Sequence, residues 1–153
     1  MEDEFEDIEY VNYKLASELK ELGFNYPCFR AYDNCEMLYY SSSGNGNILN
    51  SNLSSAVAAP LYQQVFRWFR KVHGMYVHSV PEFYHNGINF NWQILWYLPR
   101  NKWSKHDCND GTGLYGDNGE YPTQEAADTA IIEKMIEIIK NRKLINIVNS
   151  LKQ

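Results

Sequence analysis

Gly111-Thr112-Gly113-Leu114-Tyr115-Gly116 spells GxGxxG, the spacing that lets backbone amides approach a pyrophosphate. That chemistry needs a strand before the glycines and a helix after them, so that the helix N-terminus meets the phosphate. Here a polar run precedes the motif and Asp117-Asn118-Gly119-Glu120 follows it, so dinucleotide binding is not expected. Asp107, Asn109, Asp110, Asp117 and Glu120 carry oxygen donors suited to Ca²⁺. They do not follow the EF-hand order of acids, central glycine and terminal glutamate, and read as a solvated acidic loop. His106 and Cys108 are neighbours, but His73, His78 and His85 lack the paired spacing of a zinc site. No metal and no cofactor is expected.

Catalytic raw materials are present without an arrangement. No nucleophile elbow surrounds a serine, no HExxH occurs, and no cysteine has a neighbouring motif that would activate it. His78 and Glu82 share a strand face two pleats apart, about 13 Å by strand rise, which is too far for direct contact. A non-enzymatic role is therefore expected. A metal-assisted hydrolase built on the loop from Asp107 to Asp117 is a third reading, behind the two binding readings given below.

The side chains best suited to recognition fall on one face of a long β-hairpin from Met75 to Leu98. Asn86-Gly87 between alternating segments is a strong hairpin signal, because a type I′ turn needs positive φ at both central positions. Beyond it Ile88, Phe90, Trp92, Ile94, Trp96 and Leu98 alternate with Asn89, Asn91 and Gln93. Closing the hairpin at Asn86-Gly87 pairs Phe83 with Phe90, Val77 with Trp96 and Met75 with Leu98 on a buried face. The outer face then holds Tyr76, His78, Val80, Glu82 and Tyr84 opposite Tyr97, Leu95, Gln93, Asn91 and Asn89. Tyr76, His78, Glu82, Tyr84, Asn91 and Tyr97, with Trp103 beyond the hairpin, are the candidate ligand- or partner-binding residues: rigid amphipathic rings among amide and carboxylate groups. The competing expectation is that a helix covers this face.

The elements around the hairpin follow from spacing and breakers. Ile8, Val11, Leu15, Leu19 and Leu22 predict a helix over 8–22, closed by Gly23 in a left-handed C′ position with Phe24 behind it. Cys28 to Ser41 predicts two short strands around Asp33-Asn34. Residues 41–58 are rich in Ser, Asn and Gly and predict a mobile loop, since they bury too little apolar surface to offset their ordering entropy. Pro60 suits the first position of a second helix whose face is Leu61, Val65, Trp68, Phe69 and Val72. That helix is expected to cross the Trp92/Trp96 face. Residues 99–122 predict a second long polar loop. Thr123 predicts the N-cap of a last helix bearing Ala127, Ile131, Met135, Ile138 and Ile139. Beyond Asn141-Arg142-Lys143 the apolar stripe moves to Leu144, Ile147, Val148 and Leu151, nearly opposite on a straight helix. Either the helix breaks there, or these four residues face something else, such as a second copy of the chain in a homodimer.

Composition bounds the partners. The formal charge is -5, but six of the 19 acidic residues lie in the first nine positions, leaving a near-neutral body behind an acidic leader over 1–7. Duplex DNA, which needs several cations on one face, is not expected as a partner. Tyr, Phe and Trp make up 15% of the chain, more than a core of this size requires, which is what directs attention to a surface. Cys28, Cys35 and Cys108 are odd in number without CxxC, and no apolar leader or span occurs. Free thiols in a reducing cytoplasm and no membrane association are expected. A chain of 153 residues fits one domain, 1–153. The fold expected is α+β, an antiparallel sheet built on the long hairpin and packed against three helices.

Three blocks carry a resemblance. Leu19-Lys20-Glu21-Leu22-Gly23-Phe24 with Pro27-Cys28, the run Ala59-Pro60-Leu61-Tyr62-Gln63-Gln64-Val65-Phe66-Arg67-Trp68-Phe69-Arg70, and Tyr121-Pro122-Thr123 with Glu125 resemble small uncharacterised proteins of bacteriophages and prophages in Bacteroides-like hosts. The resemblance implies a compact phage-derived accessory protein in the host cytoplasm and carries over no catalytic residue. The leading expectation is a non-enzymatic protein that binds a host or phage protein or a small ligand. The alternative is a single-stranded nucleic-acid or nucleotide binder that stacks bases on the hairpin tyrosines beside Arg100, Lys102, Trp103 and Lys105.

Overall fold

The computed structural model describes residues 10–40, 46–85, 87–97 and 112–150; for 96, 97, 112–120 and 144–150 it describes the backbone. The fold is α+β with two antiparallel sheets of three strands each. Where length suggests one domain, the chain groups into two compact units, Met1–His73 and Gly74–Gln153.

In the first unit α1 spans Tyr13–Leu22. It starts later than the apolar spacing suggests because Asn12 caps it, its Oδ1 accepting the Leu15 N–H at 3.0 Å. Val11 is instead held in an extended segment, donating to the Pro60 carbonyl at 3.0 Å. The helix ends as expected. Gly23 lies at φ 98°, its N–H donates to Lys20 O, and Phe24 N–H donates to Leu19 O.

The strands β1, Arg30–Tyr32, and β2, Leu38–Tyr40, form the expected short hairpin. Its turn is built by Asp33, whose carboxylate accepts from the Cys35 and Met37 N–H groups. The other neighbour of β1 is β3, Val57–Ala59, a fully buried strand inside what composition suggests is loop. α2 spans Tyr62–His73, two residues later than Pro60 suggests. Gln64 Oε1 accepts the Leu61 N–H at 2.9 Å and closes the helix start.

Residues 46–56 of the Ser/Asn-rich stretch are held in place, and asparagine is the reason. Asn50 is buried, donating to Phe24 O at 2.8 Å and accepting from Ala58 N–H at 2.9 Å. Asn25 makes a reciprocal pair with Ser51, and the Lys20 ammonium donates to Ala56 O at 2.8 Å and Leu53 O at 3.1 Å. Polar side chains satisfy this segment's backbone without an apolar stripe. Residues 41–45 lie outside the described residues, as do 1–7.

In the second unit β4, Met75–Tyr84, pairs with β5, Gly87–Tyr97, and β5 pairs with β6, Thr112–Tyr121. The hairpin register differs by two residues from the one read off Asn86-Gly87. Tyr84 pairs with Gly87, Val77 with Ile94 and Met75 with Trp96. Gly87, at φ 145°, is thus the first residue of β5 rather than part of the turn. A shift of two keeps every side chain on its expected face. The last part of the expected 99–122 loop is the strand β6, which slips against β5 between the pairs Phe90/Tyr121 and Trp92/Asp117.

The helix on this sheet is α3, Gln124–Ser150, rather than α2, whose Trp68 stacks edge-on against Phe24 in the first unit with centroids 5.5 Å apart. Thr123 caps α3 as expected, its Oγ1 accepting from Ala126 N–H at 3.1 Å. Ala127, Ile131, Ile132, Met135, Ile136 and Ile139 are buried, as are Met75, Trp92 and Ile94. Gln124 Nε2 ties the helix start to Ser79 Oγ at 2.7 Å, on the strand face shared with Trp92. No helix among the described residues is long and apolar enough to cross a membrane.

Candidate functional site

α3 occupies one face of the second sheet, so the other face of β4 and β5 is left to solvent. Alternation along β4 puts Tyr76, His78, Val80, Glu82 and Tyr84 on that face, and all five are exposed, Tyr76 at 52% and Tyr84 at 49%. Across the ladder Leu95, Gln93, Asn91 and Asn89 stand opposite Tyr76, His78, Val80 and Glu82. Asn91 and Asn89 are half-buried; Gln93 and Leu95 are exposed. The helix that sequence reasoning set against this face is absent among the described residues.

Tyr84 Oη donates to Glu82 Oε2 at 2.6 Å. His78 and Glu82 share the face with Val80 between them. Of the remaining candidates, Tyr97 is opposite Thr112 by backbone register and Trp103 lies outside the described residues. β4 is an edge strand, so its outer backbone groups also face away from the sheet.

Sequence reasoning missed the hairpin tip. Phe83 and Ile88 pair on the face expected to be buried, yet Phe83 is 80% and Ile88 46% exposed. Burial on that face runs out between Trp92 and the tip. Alternation reports which face a residue is on but not how far the covering helix reaches.

The other chemistry-bearing motifs sort as follows. The GxGxxG glycines Gly113 and Gly116 sit in β6, paired with Trp96 and Gln93, so no helix follows them to receive a phosphate. Asp107, Asn109 and Asp110 lie outside the described residues. Among the described residues no three His, Cys, Asp or Glu side chains gather as a metal site. Cys28 is buried and its thiol is pushed up to about 12 by burial, while Cys35 is exposed in the β1–β2 turn. Leu144, Ile147 and Val148 belong to α3, which continues through Asn141-Arg142-Lys143 without a break; their side chains and Leu151 lie outside the described residues. Comparison of the chain with protein-family models, with curated proteins and with solved structures finds no match.

Proposed function

We propose that this chain is a non-enzymatic accessory protein, of the phage type its sequence blocks resemble, that acts in the cytoplasm by binding another protein through the outer face of β4 and β5. The observation that carries the reading is the exposure of Tyr76, Val80, Tyr84 and Leu95 on one continuous strand face beside His78, Glu82 and Gln93. Rigid rings and aliphatic groups supply contact area at low entropic cost, and the polar neighbours supply direction.

Electrostatics favours a protein over a nucleic acid. β4, β5 and β6 contain no Lys or Arg at all, and β6 adds Asp117 and Glu120. Single-stranded nucleic-acid binding draws on a cationic groove beside the stacking rings, and these strands provide none.

The test is an affinity capture in which the tagged full chain and its Tyr76→Ala/Tyr84→Ala variant are compared in a nuclease-treated lysate of bacteria that also make the untagged chain. The reading predicts a protein retained by the wild type and lost from the variant. Equal recovery by both, or recovery that nuclease abolishes, contradicts it.

A further inference from the structure

The exposed face of β4 reads nearly the same in both directions. From its centre at Val80, His78 and Glu82 lie two residues to either side, and Tyr76 and Tyr84 four residues to either side. Resting on the reading above, we propose that the partner of this face is a second copy of the same chain, docked face to face about a two-fold axis through Val80.

A two-fold lying between the sheets and perpendicular to the strands runs the two β4 strands antiparallel and brings position 76 against 84, 78 against 82 and 80 against itself. Each tyrosine then meets a tyrosine, Val80 meets Val80, and the His78 imidazole N–H meets the Glu82 carboxylate of the second copy twice over. Tyr84 donates to Glu82 Oε2, and Oε1 of the same carboxylate can accept from the imidazole. Along β4 and β5 no like charges are opposed.

The same operation extends to β5 without a clash of type. Asn91, which pairs with Val80, falls on the axis, where two primary amides are self-complementary. Asn89 meets Gln93, and Leu95 meets Gly87, where the missing side chain leaves room for an isobutyl group. The equal spacing of His78 and Glu82 about Val80 suits a symmetric partner, since each copy then supplies both halves of the pair.

Docking is through the face rather than the edge of β4. Edge pairing about Val80 would put Pro81 opposite Ser79 of the second copy, and proline has no N–H to give to that ladder. Three strands of about ten residues present on the order of 500 Å² a side, near the lower bound for a specific interface, so the dimer is concentration-dependent rather than obligate.

Sedimentation velocity of the full chain over a micromolar concentration series tests this. The wild type is expected to pass from monomer to dimer. His78→Glu and Glu82→Lys, both at exposed positions and checked for folding by circular dichroism, should each weaken association about tenfold or more. An equimolar mixture of the two variants should recover the dimer, because the introduced carboxylate of one then faces the introduced ammonium of the other. A wild type that stays monomeric overturns the proposal. So does a dimer that ignores both charge reversals and dissociates on Leu144→Asp/Leu151→Asp, which would assign association to the end of α3. The reading of the face as a protein-binding surface fails separately, through equal capture by the wild type and the Tyr76→Ala/Tyr84→Ala variant.

Discussion

The Tyr84 hydroxyl donates a hydrogen bond to Glu82 Oε2 across 2.6 Å, two residues away on the exposed face of β4. The bond fixes the direction of the carboxylate on a surface where it would otherwise swing freely. Tyr84→Phe removes the donor and keeps the ring. Because both partners are solvated, stability in a urea titration should change by no more than about 0.5 kcal/mol. Association of the chain, read by sedimentation, should weaken at the same time, since Glu82 loses its alignment.

Asn50 replaces a missing hydrophobic stripe in the first unit. Asn50→Ala strips the partner from Phe24 O and from Ala58 N–H, both in a buried setting, and should cost about 2–4 kcal/mol in denaturant unfolding. Asn52→Ala, at an exposed position in the short 3-10 helix Asn50–Asn52, should cost well under about 1 kcal/mol. Equal effects would remove Asn50 from its place as the clasp of this segment.

Cys28 makes stability fall in alkali. Burial disfavours the thiolate and pushes the thiol up from 9.0 to about 12 in the folded chain. The raised folded value means that stability is fully present below pH 9.0 and is lost as pH climbs toward about 12, where the unfolded chain ionises and the folded one does not. Within that window the wild type should lose up to about 1.4 kcal/mol per pH unit more than Cys28→Ala. In a Cys108→Ser background at neutral pH, Cys35 should react with a thiol reagent at once and Cys28 only on unfolding.

Asp128 acts in the opposite range. Desolvation raises its carboxyl above the usual carboxylate value, the Gln124 side-chain hydrogen bond opposes this, and the Glu125 charge adds to it. The stability contributed by its protonated form is present below the ordinary carboxylate pKa and fades as pH rises through the higher folded value. Asp128→Asn should therefore remove a decline in stability through the weakly acidic range, seen as a flatter melting-temperature profile against pH.

What was legible in the sequence is what local chemistry writes there. Gly23 in a left-handed helix end, Thr123 as a cap and the Asp33 turn each need only a few neighbouring residues, and each appears as read. The alternation through Tyr76, His78, Val80, Glu82 and Tyr84 placed them on one face, and they share it. The exact register was not legible, because slipping a hairpin by two residues changes partners but not faces, so the apolar pattern cannot choose. β3 and β6 were hidden for a different reason. Val57–Ala59 is too short to show a period, and Thr112–Tyr121 alternates with glycines and acids, so its ladder rests on backbone groups common to all residues. The partition into two units was also out of reach. α2 is apolar enough to suit either sheet, and tertiary contacts such as Trp68–Phe24 and Gln64 Nε2 to Pro27 O show which core it fills.

Val80 stands at the centre of the account, since a two-fold axis brings identical positions together there and nowhere else on β4. The most direct measurement is the rate at which a short bifunctional thiol reagent links two chains carrying Val80→Cys in a Cys35→Ser/Cys108→Ser background. Val72→Cys, 55% exposed on α2, is the control. The account predicts rapid covalent dimer through position 80 and only slow, collisional linkage through position 72. Equal rates at the two positions would contradict it.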